Sequence, residues 1–144
     1  TIDLIATDHA PHTLEEKSSY YTSCPSGGPL IQHSLPLLLE MYHNNSLDLE
    51  TIVTKTSHNP SILFEIKDRG FIREGYYADL VLFDLNSPWK VSDSILYSKC
   101  NWTPFKKETF KSKVIHTIVS GNHVFDNGII NKNLNSKRIE FERD

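Results

Sequence analysis

The stretch IATDHAPHTLEEK, Ile5 to Lys17, sets Asp8, His9 and His12 close together directly after an apolar run, with Pro11 among them. A carboxylate and imidazoles so placed can ligate a divalent cation or carry a proton, and an imidazole N–H can donate to an anionic ligand. The spacing alone leaves a plainer reading open, in which Asp8 closes a turn and His9 and His12 are loop surface. D-H-x-x-H is short, whereas HExxH sets two imidazoles on one helical face.

Other reactive residue types are scattered. Cys24 and Cys100 have no CxxC spacing and no secretory signal precedes them, which favours reduced thiols and a cytoplasmic setting. His33, His43, His58, His116 and His123 form no HxH pair and suit surfaces on helices and hairpin positions. Trp89, Trp102 and Phe105 read as packing aromatics, and Lys106, Lys107, Lys111 and Lys113 as a solvated surface. The formal charge of −3 arises from interleaved signs, so no basic face recommends nucleic acid. Apolar runs such as Leu35 to Tyr42 fall far short of the roughly 20 residues that span a bilayer.

These residues need elements to position them. The chain has 144 residues, 38% hydrophobic and 23% charged, enough for one core. Thr1 to Thr7 has the little-alternating apolar pattern of a strand buried on both faces. Asp8 then stands at its C-terminal end, where α/β barrels assemble their active sites. The connection from Asp8 to Gly28 exceeds the roughly 12–15 residues beyond which structureless loops are usually functional or disordered.

Ile31, Leu35, Leu38, Leu39 and Tyr42 recur at helical spacing up to Asn44-Asn45. A second helix starts at Asp48 as N-cap, turns Leu49, Ile52 and Val53 inward and runs out near Ser57, and Pro60 opens a further helical turn. After Lys67 the pattern is β: turns at Gly70 and Gly75, and an apolar run from Leu80 to Phe83 closed by Asp84. A hairpin follows, from Val114 to Val119, with its turn at Gly121-Asn122 and its return at Val124-Phe125. The tail is polar, with a candidate last strand at Arg138 to Phe141. The chain thus divides into 1–66 and 67–144. Its only methionine is Met41, and a single parallel strand needs a neighbour on each side, so residues upstream of Thr1 are expected.

The segments ATDHAPH with EEK, PSGG with SLPLLLE, TSHNPSILF, GFIREGYYADLVLFD and HTIVSGNHVFDNG occur in order along most of the chain. Together they resemble the C-terminal third of a dihydroorotase of the amidohydrolase superfamily. DHAPH is the specific part, because related hydantoinases and allantoinases usually carry other residues after the Asp-His. The resemblance implies an α/β architecture: the end of a (β/α)8 barrel (last strand, active-site loop and helices) over 1–66, and part of a small β-sandwich over 67–144.

It also implies roles. Asp8 would bind a metal, usually zinc (Zn2+), in a centre of one or two ions, and would shuttle the proton of amide hydrolysis. Bound metal lowers the pKa of water from 15.7 to about 7, and a carboxylate beside it can take the water's proton and return it to the leaving nitrogen. His12 would bind the substrate carboxylate, and Ser26 and Gly27 would present backbone groups to the pyrimidine ring. His9 is assigned structural work in orienting the loop. Where many members carry Gly-Leu-Glu-Thr, this chain has Leu30-Ile31-Gln32-His33. His33 there is expected at the surface, with a pocket role as the alternative.

The family's other metal ligands, a His-x-His, a carboxylated lysine and two further histidines, have no counterpart within 1–144, so this stretch alone is expected to be inactive. The implied reaction is the reversible ring opening of dihydroorotate to N-carbamoyl-L-aspartate in pyrimidine synthesis. The implied partners are that small molecule and, in keeping with relatives, a second copy in a homodimer, with no nucleic acid or membrane. Two alternatives stand beside it, an allantoinase or hydantoinase acting on another cyclic amide, and a catalytically dead scaffold.

Overall fold

Asp48 caps the helix that begins at Leu49, as its spacing predicts. Its carboxylate accepts the Thr51 N–H at 2.6 Å, a bond that also holds the Asp48 carboxyl below its ordinary pKa. The computed structural model describes residues 2–134 and 136–142. Within them a short helix α1 (Leu14–Lys17) precedes a 3-10 turn (Ile31–His33), α2 (Ser34–His43), α3 (Leu49–Val53) and α4 (Asn59–Leu63). Strands β1 (Leu80–Asp84), β2 (Trp89–Lys90), β3 (Thr109–Phe110), β4 (Lys113–Val119), β5 (Asn122–Asp126) and β6 (Ile129–Ile130) follow. None of the described helices is long and apolar enough to cross a membrane.

α2 carries Pro36 in its first turn, where backbone N–H groups have no partner within the helix. It ends at Asn44-Asn45, with Asn45 in the left-handed region at φ 57°. α3 and α4 are one continuous run rather than two helices, joined by a π turn over Thr54–His58. The wider turn falls just before Pro60, whose missing N–H would interrupt a regular ladder.

The β part is antiparallel, in the order β1-β4-β5-β6, beside a two-stranded ribbon β2-β3. The β4–β5 hairpin forms where expected, but its two-residue loop is Ser120-Gly121, one position earlier. Both residues have positive φ, 50° and 80°, the geometry that matches the twist of paired strands. The tail does not make a last strand. It pairs back through a single Ile66–Phe141 bridge, with Lys67 N–H donating to the Glu140 carbonyl at 3.0 Å.

The core sits between α2 and the ribbon. Leu38, Leu39, Ile52, Val91 and Phe110 are buried. Between helix and sheet, Arg69 is a buried cation. Its guanidinium pairs with Asp79, donates to Ser120 Oγ at 3.2 Å and lies 4.3 Å over the Tyr77 ring. Asp79 in turn accepts the Ser120 N–H at 2.6 Å, so one ion pair fixes the loop before β1 to the tip of the β4–β5 hairpin.

The expected strand over residues 1–7 is not formed among the described residues, and Thr1 lies outside them. Residues 2–7 are held to the π turn instead, with Ile5 N–H donating to the Lys55 carbonyl at 3.0 Å and Lys55 Nζ reaching the Ile2 carbonyl. An apolar segment with no strand beside it has no ladder to complete, whatever its pattern.

Candidate functional site

The site residues lie on one loop that is closed at its base by backbone pairing. Ala10 N–H donates to the Gly28 carbonyl at 3.0 Å, and His9 bridges Gly28 in parallel. Between these ends, Lys17 Nζ donates to the Pro25 carbonyl at 2.6 Å and Cys24 Sγ lies 3.5 Å from the Lys17 carbonyl oxygen. α1 occupies the middle of the loop. Thr13 and Glu16 cap it reciprocally, Glu16 N–H donating to Thr13 Oγ1 at 3.2 Å and Thr13 N–H to Glu16 Oε2 at 2.7 Å. The same bonds lower the Glu16 pKa.

Asp8 adopts φ 45°, a left-handed conformation that is uncommon for a residue with a side chain. Backbone held in this way clusters at functional sites. Its side chain is exposed and makes no hydrogen bond or ion pair with the described residues. Gly27, at φ 81°, lies directly against the Asp8–Ala10 turn, where a Cβ would come within 2.6 Å of Ala10 Cβ and 3.7 Å of the Asp8 carbonyl oxygen. Only glycine fits both the conformation and the contact.

His12 is half-buried. Its N–H closes a tight turn around Pro11 onto the Ala10 carbonyl at 2.9 Å, and its Nδ1 lies 3.7 Å from Glu16 Oε2. Its carbonyl accepts Trp102 Nε1–H at 2.7 Å. Ser26 is exposed beside Gly27. Thus the fold brings Asp8 and Gly27 into contact through backbone, while no hydrogen bond joins the side chains of Asp8, His12 and Ser26 among the described residues. An exposed aspartate is an ordinary zinc donor, but it fills one position of a shell that needs about four. The donor type fits a divalent ion, and the remaining ligands must come from outside the described residues of the loop.

His9 ties the loop to the entry of the 3-10 turn, its Nδ1 accepting the Ile31 N–H at 3.3 Å. His33 departs from its expected surface position and is buried, 1% exposed, among Trp89, Phe105 and Phe110. A 3-10 turn advances 120° per residue instead of 100°. That difference rolls Ile31 outward and His33 inward before α2 takes up the helical phase. Thr103 Oγ1 lies 3.4 Å from His33 Nδ1, and Nε2 has no partner among the described residues.

Burial holds the His33 imidazole below its ordinary pKa of 6.5. As pH falls through 6.5 the unfolded chain takes up this proton before the folded one, so stability present at neutral pH is lost toward the lower folded value. The urea midpoint is therefore expected to drop between pH 7.5 and 5, and to drop less in a His33→Leu variant. An equal slope in both would remove His33 as a cause.

Sequence reasoning missed two features of the site. The T-x-x-E signature of the α1 capping box is present in Thr13–Glu16 and could have been used. The Trp102 bond to the His12 carbonyl spans the chain from loop to β part and leaves no local signal.

Residues 1–124 match the family described as Amidohydrolase family. The chain is 40% identical over 125 residues to a dihydroorotase of Anaplasma phagocytophilum, an alignment covering 87% of this chain and 28% of that protein. It is 39% identical over 133 residues to a dihydroorotase of Pyrococcus horikoshii, covering 92% and 31% respectively. The chain therefore spans less than a third of the length of these curated relatives. Among solved structures, the L-hydantoinase (dihydropyrimidinase) of Arthrobacter aurescens superposes with a TM-score of 0.82 at 28% identity, over 89% of this chain and 30% of that one.

Proposed function

Because this chain belongs to the amidohydrolase family, we propose that it forms the C-terminal part of a zinc-dependent cyclic amide hydrolase that reversibly opens dihydroorotate to N-carbamoyl-L-aspartate in pyrimidine biosynthesis. The observation that carries this reading is Asp8, an exposed carboxylate without a partner among the described residues, held in a left-handed turn against Gly27. Asp8 would be one ligand of the zinc, and the ion would supply a water acidic enough to react at neutral pH. The Asp8 carboxylate would take up a proton during attack on the ring carbonyl and return it to the leaving nitrogen. His12 donates to the substrate carboxylate, with its ring held near Glu16 and its backbone by Trp102. Ser26 and Gly27 present backbone groups to the ring, and the absence of a Cβ at Gly27 permits close approach.

In this reading residues 1–66 complete a (β/α)8 barrel and residues 67–144 form part of a small β-sandwich. Exposed apolar side chains support it: Leu37 and Met41 on α2, and Val81 and Leu82 on β1, are faces that further barrel and sandwich residues would cover. The protein acts in the cytoplasm as a homodimer on a small molecule, without a nucleic-acid or membrane partner.

The test is ring opening of dihydroorotate by the zinc-loaded polypeptide in which residues 1–144 follow the upstream part of the barrel that they complete. Failure to turn over dihydroorotate overturns the assignment. The hydantoinase likeness favours a second reading, a cyclic amidohydrolase for uncharged rings, and His12→Ala separates the two. A charge-assisted hydrogen bond contributes about 1.5–3 kcal/mol, so the variant is expected to raise KM for dihydroorotate roughly 10- to 150-fold. Turnover of an uncharged hydantoin should not change.

A further inference from the structure

Strands β4 and β5 gather two imidazoles and a carboxylate on one side of the sheet. His116 stands opposite Asp126 in their register, and Ile118 opposite His123. In a regular strand, His123 and Asp126 would face opposite sides, because side chains alternate and three positions separate them. The register slips between Thr117, which pairs with Phe125, and Ile118, which pairs with His123, leaving Val124 as the extra residue of a bulge. A bulge re-aims the side chains on either side of it. Here it turns His123 back toward Asp126 and His116.

The resulting distances suit an ion. His123 Nε2 lies 3.0 Å from His116 Nδ1, and His116 Nδ1 lies 3.2 Å from Asp126 Oδ1. One donor atom from each of the three residues lies within 4.8 Å of the others. A tetrahedral ion bound at about 2.0–2.1 Å holds its donors roughly 3.3–3.5 Å apart, so small side-chain rotations complete the shell. With each ring presenting its lone pair, a single cation among the three engages all of them. His123 and Asp126 are exposed, and the open depression lined by Ile129, Asn131 and Asn133 admits water to the remaining position.

We propose that His116, His123 and Asp126 form a surface site for a zinc-class divalent cation that clamps the β4–β5 hairpin across its bulge. The two nitrogen donors select Zn2+, Co2+, Ni2+ or Cu2+ over Mg2+ and Ca2+, which prefer oxygen shells. No residue of the loop from Asp8 to Gly28 takes part, so the site stands apart from the hydrolytic reading.

The test is titration of the metal-stripped 144-residue chain with Zn2+ by calorimetry, and with Co2+ by its visible absorption. One ion per chain is expected, lost in His123→Ala and weakened at least about tenfold in Asp126→Asn, with Mg2+ failing to compete and Asp8→Asn leaving the affinity unchanged. Zinc should also raise the unfolding temperature of the parent chain and not that of His123→Ala. Equal affinity in the parent and His123→Ala, or loss of binding in Asp8→Asn, overturns the proposal. If His123→Ala does not fold, zinc-dependent shifts of the His116 and His123 ring resonances in the parent chain decide, and unshifted resonances overturn it.

Discussion

Replacing Asp8 by Asn, in the polypeptide that joins residues 1–144 to the upstream part of the barrel, is expected to lower kcat for dihydroorotate by about 10²- to 10⁴-fold with a much smaller change in KM. The amide preserves size and some coordinating ability but cannot accept and return a proton, and positioned proton transfer contributes a factor of that order. A loss confined to the chemical step appears equally in kcat and kcat/KM, which separates it from impaired substrate binding. Asp8 is well suited to this comparison because its side chain makes no hydrogen bond with the described residues, so the substitution leaves no orphaned partner. An Asp8→Asn enzyme with normal turnover would mean that the proton travels by another group.

The second large effect concerns stability. Gly70 has φ 82°, and a Cβ there would lie 2.3 Å from Ser61 Cβ, 2.7 Å from Ser61 Oγ and 3.0 Å from the Ser57 carbonyl oxygen. Ser61 is itself fixed, donating its hydroxyl to the Arg69 carbonyl at 2.7 Å. Gly70→Ala must therefore bear a left-handed alanine, about 1–2 kcal/mol, and an overpacked contact, about 1–3 kcal/mol. A loss of roughly 2–5 kcal/mol is expected, read as a lower urea midpoint at unchanged slope. Gly75 supplies the control. It has φ 85° with nothing within 4 Å, so Gly75→Ala should show only the conformational part. Equal losses at both positions would mean that Ser61 yields and the packing term vanishes.

The contrast between these glycines shows what residue order can and cannot carry. Both were legible as turn residues, and both do adopt the left-handed conformation. That one presses on a helix and the other faces open space depends on tertiary approach, which has no local signature. The same division holds elsewhere. The β4–β5 hairpin and the Asp48 cap were readable because alternation, turn chemistry and capping are local rules.

The strand expected over residues 1–7 does not form among the described residues because strand formation depends on neighbours as much as on pattern. His33 was misplaced because helical periodicity was extended through a 3-10 turn. For the site, glycine at position 27 and the Asp8 turn were visible, while the His116–His123–Asp126 cluster was not, since strict alternation places its members on opposite faces. The bulge that reunites them is a property of the pairing.

Two side chains tie the candidate loop region to the β part. Trp102 Nε1 donates to the His12 carbonyl, and Gln32 spans the gap with its Nε2 donating to the Ile95 carbonyl at 2.7 Å and its Oε1 accepting the Tyr97 N–H at 3.0 Å. A chimera that exchanges sequence with a relative at residue 66 severs these bonds even though the crossover falls between two compositionally distinct halves. Recombinants should keep a well-placed loop only when residues 95–102 travel from the same parent as residues 8–33, which makes that pair of segments, rather than either half, the inheritable unit.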